Sequence, residues 1–267
     1  MSRGGWFRAL SVAALALTLL FLTLPLIAVF TNTGPGALVE SLGQQTAREA
    51  LWLSLRTSLI ALAVIVAVGT PAAYLLATRD FPGRSVAITL IELPLVVPPA
   101  VAGIALLAAL GPNGILGGAL ADAGVELVFQ TAGVVVALTF VAAPFYLRQA
   151  VAAFESLDPA WLEASRTLGA GPARTFLAVA VPSARPGLAS GTALAWGRAL
   201  GEFGATLMFA GSFPGITQTA PLAIFARFST DFTSALALSA VLIAVAGAIL
   251  LSVKLVSGDG SRAGREP

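Results

Sequence analysis

Six times along this chain an apolar run reaches the roughly 20 residues that a helix needs to cross the hydrocarbon core of a bilayer. The runs cover about Ala9–Phe30, Leu51–Thr78, Val86–Leu110, Thr131–Phe154, Gly187–Phe209 and Ser234–Val256. Inside hydrocarbon every backbone N–H and C=O needs an internal partner, so runs of this length fold as helices. The composition agrees, with 57% of the 267 residues hydrophobic, 10% charged and a mean hydropathy of +0.91, beyond the apolar share of an ordinary soluble domain. The chain is expected to be an all-α, multi-pass membrane protein with six transmembrane helices in a single domain spanning 1–256, followed by a polar, disordered tail over 257–267. The first run is expected to stay as a membrane helix. Its apolar stretch exceeds the usual signal-peptide core of about 7–15 residues, and no small-x-small cleavage site closes it.

Basic residues in the connecting loops give the orientation, because Lys and Arg are retained on the cytoplasmic side. With six alternating helices, Arg3, Arg8, Arg79, Arg84, Arg148, Arg166, Arg174, Arg185, Lys254, Arg262 and Arg265 fall on one side, and only Arg48, Arg56 and Arg227 fall on the other. Both termini are therefore expected in the cytoplasm. The net charge of +2 is too small for a nucleic-acid-binding face. The chain has no Cys and no His, which excludes thiolate metal sites and the commonest metal ligand and proton relay. No Ser/His, Cys/His or paired-carboxylate arrangement is available, and there is no G-x-x-x-x-G-K-[ST] phosphate loop. An enzyme is not expected, and any ATP hydrolysis belongs to another polypeptide.

The cytoplasmic stretch from about 155 to 186 is the polar exception. Asp158 is a good N-cap and Pro159 a good first helical residue, so a short helix is expected over Pro159–Leu168, ending at Gly169 in a left-handed cap. Trp161, Ser165 and Leu168 share one side of it with Leu162 beside them, and Glu163 and Arg166 stand three apart, where they can pair. A second helical piece is expected from Pro172 to before Pro182, with Pro186 and Gly187 marking entry into the fifth membrane helix. So short a helix is marginal alone. Its pattern fits either a plain interhelical surface helix or a docking element for a cytoplasmic partner.

The run Glu163-Ala164-Ser165, three residues, Gly169, nine residues, then Val179-Ala180-Val181-Pro182 resembles the EAA loop of ABC importer permeases, E-A-A, three residues, G, nine residues, I-x-L-P. Ser165, Val179 and Val181 are conservative departures. The resemblance implies the type I importer permease fold, with this segment as the cytoplasmic coupling helix that enters a groove on the ATPase subunit. Trp161, Leu162, Glu163, Ala164, Ser165, Leu168 and Gly169 are then the ATPase-coupling residues. GRALGEFGATLMFAGSFPGITQTAPLAIF at 197–225, with FPGR at 81–84 and LPLVVPPAVAG at 93–103, is similar to the molybdate permeases, with the sulfate permeases nearest to them; tungstate is chemically inseparable. The resemblance further implies a prokaryotic cytoplasmic membrane, an ABC ATPase that binds the ATP and Mg2+, an extracytoplasmic substrate-binding protein and a second copy of the chain. It implies no resident cofactor. An ion-coupled secondary transporter is the rival reading, although no inverted repeat or acidic ladder of that class is visible.

The fifth run holds the deepest charges, Arg198 and Glu202. Charges at that depth cost roughly 2.5–3.5 kcal/mol each on insertion scales, so they face a pathway or a partner charge. Four apart, they form either a structural ion pair or, with Thr206, part of the translocation path or its gate. Such a pair attracts an oxyanion only weakly, which suits a conduit. Glu92 is the other charge at depth. Pro94, Pro98 and Pro99 remove backbone donors around it, so the third helix is expected to be kinked or broken. Gly197, Gly201 and Gly204 permit close helix approach. The outer loop Gly211–Pro221 carries no acidic residue and either greets a dianion or its carrier, or is a solvated turn.

Overall fold

A computed structural model describes residues 5–262 as an all-helical protein. Helix α1 (Gly5–Asn32) lies outside the bundle and is exposed along nearly its whole length, with Leu10, Leu17, Phe21 and Leu24 uncovered. Its few hydroxyls bond back to the preceding turn, Ser11 Oγ to Phe7 O at 2.9 Å, Thr18 Oγ1 to Ala14 O at 2.8 Å and Thr23 Oγ1 to Leu19 O at 2.7 Å. Such back-bonding lets Ser and Thr sit in hydrocarbon without an orphaned O–H. Short α2 (Pro35–Gly43) leads into α3 (Gln45–Thr78), the longest helix.

The core is α3 packed on α7 (Thr131–Glu155) and α7 packed on α10 (Val181–Leu200). Small residues set the closeness, as expected where helices associate by packing rather than by a hydrophobic drive. A Cβ on Gly69 of α3 would stand 3.0 Å from the Tyr146 ring, and one on Gly191 of α10 would stand 3.3 Å from the same ring and 3.1 Å from Gln149 Cβ. Tyr146 is thus clamped between two glycines, fully buried, and its hydroxyl meets Thr70 Oγ1 at 2.6 Å. A stripe of Ala, Ser, Thr and Gly along α3 serves the other neighbours. Ser58 Oγ accepts from Trp196 Nε1 at 3.0 Å, and Ser54 Oγ accepts from the Ala220 N–H at 2.7 Å.

Two of the six expected spans are broken. The third is α4 (Arg84–Val96) and α5 (Pro99–Leu110), bent by 119° at Val97–Pro98; Pro98 and Pro99 carry no N–H to continue the ladder. The fifth is α10 and α11 (Gly204–Ala210), interrupted at Gly201–Phe203. Four unbroken helices, α1, α3, α7 and α13 (Phe232–Arg262), are long and apolar enough to cross a membrane, or five spans if the bent pair is one. By length and composition, four to five of the six expected spans are thus found, and the break expected in the third is present. Helix α13 also runs past Val256, where the tail was expected to begin, and 263–267 lie outside the described residues.

Three further helices carried too little apolar length to be expected: α2, α6 (Gly117–Asp122) and α12 (Ala220–Phe228). Asp231 caps α13, its Oδ1 accepting from the Ser234 N–H at 3.0 Å and Oδ2 from the Ser234 hydroxyl at 2.5 Å. These bonds hold the Asp231 carboxyl below the ordinary carboxylate range.

Candidate functional site

The polar segment after α7 folds as α8 (Pro159–Thr167), where the short helix was expected. Asp158 Oδ1 accepts from the Ala160 N–H at 2.9 Å, the N-cap bond, and Gly169 takes φ +84°, the left-handed cap. The helix has one buried residue, Leu162. It packs into the same cluster as Phe154 of α7 and Ala180 and Ala184 beside and within α10. Leu162, expected among the docking residues, is therefore the anchor to the bundle rather than part of the free face. Ser165 is the second anchor, its hydroxyl 3.1 Å from that of buried Thr175.

The other face of α8 is uncovered. Trp161 is 53% exposed and Leu168, just beyond the helix, 88% exposed, and Glu163, Ala164 and Arg166 are exposed beside them. Among the described residues Glu163 and Arg166 form no ion pair, in keeping with the small return from pairing exposed charges in water. Two large apolar side chains and a carboxylate thus stand exposed together on and just beyond this nine-residue helix.

Beyond Gly169 the chain does not break at Pro182 as expected. α9 (Pro172–Thr175) passes into a π-helical turn (Phe176–Ala180) and then directly into α10, which carries Pro182 in its first turn and Pro186 in its interior. The wide turn before Pro182 accommodates the ring without ending the helix. The segment touching α8 is consequently continuous with α10, whose 20 residues rise about 30 Å, the thickness of a hydrocarbon core.

The buried face of α10 packs on α7 through Ala184, Leu188, Gly191 and Ala195. The opposite face stays exposed or half-buried through Ser183, Pro186, Ser190, Leu194, Arg198 and Gly201. A lipid-facing stripe reads like α1. This one has one large apolar residue in six and ends in a guanidinium.

At its upper end lies the ion pair. Arg198 Nη2 stands 2.6 Å from Glu202 Oε2, off the line of a hydrogen bond, so the contact is chiefly Coulombic. The Arg198 side chain is 26% exposed and that of Glu202 only 1%. Glu202 Oε1 accepts from the Ala205 N–H at 2.7 Å, fixing the carboxylate across the start of α11. Thr206, one turn on, is fully buried with no partner for its hydroxyl among the described residues. Its burial keeps Thr206 off the exposed stripe of α10 in this structure. Helix α11 packs so closely on α5 that a Cβ on Gly103 would stand 2.6 Å from Met208 Cβ and 2.7 Å from Ala205 O. The bent α4–α5 element thus reaches the same point. Sequence spacing found the Arg198–Glu202 pair but not the break at Gly201–Phe203, for which the Gly and Glu in one run were the available signal.

Glu92, whose partner the sequence left open, faces Arg148 at 3.7 Å, and Arg84 meets Glu155 at 2.8 Å. No residue of α4 is buried, so these two pairs are prominent among its ties to α7. On the far side, the 211–219 loop leans on the entry to α7, with Phe213 edge-on to Phe129 at 5.6 Å and Thr131 Oγ1 donating to Ile216 O at 2.8 Å.

Residues 69–257 match the family model described as binding-protein-dependent transport system inner membrane component. The chain is 36% identical over 251 residues to a probable transport system permease protein NifC of Clostridium pasteurianum, covering 94% of this chain and 88% of the relative. It is 39% identical over 236 residues to the molybdenum transport system permease protein ModB of Mycobacterium bovis, covering 88% and 89%, and 34% identical over 244 residues to the sulfate transport system permease protein CysW of Synechocystis, covering 90% and 88%. Among solved structures, a subunit of a bacterial alginate ABC transporter in complex with its pentasaccharide-bound periplasmic protein superposes with a TM-score of 0.75 at 19% identity, covering 96% of this chain and 94% of that one. With the short helix, the continuous α10 and the broken fifth span in place over a matched region of this extent, the chain belongs to the binding-protein-dependent transport system inner membrane components.

Proposed function

We propose that this chain is the permease subunit of an ATP-driven oxyanion importer, carrying molybdate, with sulfate or tungstate as the alternative cargo. The observation that carries the transport reading is the exposed to half-buried stripe of α10, which has one large apolar side chain in six where exposed α1 is apolar almost throughout, and which runs about 30 Å from the α8 contact to Arg198. The named molybdenum and sulfate permeases among the relatives supply the cargo class. Two copies of the chain place their α10 stripes toward each other and enclose the path.

The mechanism follows from the connections. An ATPase subunit covers Trp161, Glu163, Ala164 and Leu168, with Gly169 setting the turn beside them, and supplies ATP and Mg2+. Its closure moves α8, and Leu162 and Ser165 hand that motion to Thr175, the π turn and α10. Since α10 ends at the Gly201–Phe203 break, displacement there shifts α11 against α5 and opens the outer end, where an extracytoplasmic binding protein delivers the anion. The termini and α8 lie on the cytoplasmic side. Reconstitution with the cognate ATPase and binding protein tests this. Labelled molybdate uptake should require ATP, stop with vanadate and be competed by tungstate more strongly than by sulfate. Uptake that proceeds without any ATPase overturns the proposal in favour of a secondary transporter.

A further inference from the structure

The Arg198–Glu202 pair is built asymmetrically, and the asymmetry bears on how tightly the path holds an anion. Glu202 is shut away at 1% exposure with one oxygen committed to the Ala205 N–H, while Arg198 keeps 26% of its side chain open on the α10 stripe. A passing anion on that stripe therefore meets the guanidinium and not the carboxylate. A free guanidinium in a partly desolvated passage is a strong, bidentate ligand for a tetrahedral oxyanion. Bound that way, the anion is held rather than passed. Here Glu202 Oε2 lies 2.6 Å from Nη2, so the anion meets a compensated dipole. Pulling Arg198 onto the cargo would leave a buried carboxylate unpaired, a costly state.

We infer that Glu202 is a positioning residue that sets the oxyanion affinity of the path by withholding Arg198. The inference rests on the conduit reading of α10 and concerns the same site. The substitution Glu202→Gln removes the charge while its amide oxygen still accepts from the Ala205 N–H, so the start of α11 is kept and Arg198 is released.

The experiment uses the assembled permease–ATPase complex in lipid nanodiscs, without binding protein or nucleotide, with labelled molybdate and sulfate in equilibrium dialysis. Wild type should bind weakly. Glu202→Gln should bind at least about tenfold more tightly, and the double variant Arg198→Gln/Glu202→Gln should return to wild-type affinity. Uptake in proteoliposomes should show Glu202→Gln with a lower maximal rate, and the double variant faster than either single one, because Arg198→Gln alone leaves a buried charge that repels the dianion. A purely structural pair also predicts that rescue, but not the gain in anion affinity. No gain in an assembled Glu202→Gln complex, or a gain that survives loss of Arg198, overturns the inference. If wild type imports the oxyanion and Glu202→Gln gains nothing, only the role of Glu202 falls. If wild type imports neither anion yet Glu202→Gln gains Arg198-dependent affinity, the cargo reading falls and the hold on Arg198 stands.

Discussion

Replacing Leu162 and Leu168 separately by Ala should separate the two faces of α8. Leu162 is 8% exposed in the main cluster, and truncating a buried Leu costs about 2–5 kcal/mol. Against that loss α8 retains one N-cap bond, typically about 1 kcal/mol, and the Ser165–Thr175 contact, while nine residues are too few to hold a helix in water. Leu162→Ala should therefore undock α8 and expose residues 156–175 to protease even without a partner. Leu168 is 88% exposed, so its truncation should change the stability of the isolated permease by no more than about 0.5 kcal/mol. Burying a Leu against a partner is worth about 1.5–3 kcal/mol, so the same change should weaken ATPase binding roughly ten- to hundredfold. Limited proteolysis and thermal midpoints of the purified permease read the first effect, and the dissociation constant for the ATPase reads the second. Equal protease resistance in Leu162→Ala and wild type, or a thermal loss in Leu168→Ala matching that of Leu162→Ala, would refute the division into an inner and an outer face.

Tyr146→Phe removes the 2.6 Å contact to Thr70, which keeps its own bond to Val66 O at 2.6 Å, so the loss should be about 0.5–1.5 kcal/mol, seen as a few degrees in the thermal midpoint. Gly103→Val places a side chain against Met208 Cβ and Ala205 O, which should cost about 1–3 kcal/mol by overpacking and lower uptake, because α5 and α11 are forced apart beside Glu202. Asp231 titrates lower in the fold than in the open chain because Ser234 bonds the charged form, so its contribution is complete above the ordinary Asp value and is lost as pH falls through the lower, folded one. Asp231→Ala should accordingly lower stability at neutral pH and flatten the acid side of the stability–pH profile, with wild type and variant converging as pH falls.

The helices that a bilayer demands were legible because the length rule acts on composition alone, and α1, α3, α7 and α13 stand where their runs predict. The short helix α8 was legible for a different reason: Asp158, Pro159 and Gly169 are punctuation whose local chemistry does not depend on what surrounds it. What escaped was set by tertiary context. Gly201 and Glu202 sit in a run that reads as one helix, and the break becomes visible only when Glu202 turns back to the Ala205 N–H and pairs with Arg198. Pro182 reads as a stop, yet a π turn before it carries the helix through. Leu162 shares its neighbourhood with Trp161 and Leu168, and only the position of Phe154 and Ala184 decides that it faces inward. Glu92 and Arg148 lie 56 residues apart in sequence, beyond any local pattern.

The central claim is that α8 couples an ATPase to the α10 path, and the measurement that tests it most directly is ATP hydrolysis and molybdate uptake in the same proteoliposomes, wild type against Glu163→Arg. Glu163 is exposed on α8 and bonded to nothing else in the fold through its carboxylate among the described residues, so the permease should fold and insert normally. The account predicts uptake driven by hydrolysis in wild type, and loss of both ATPase association and uptake in the variant. Uptake at the wild-type rate with Glu163→Arg, still driven by the ATPase, would contradict it.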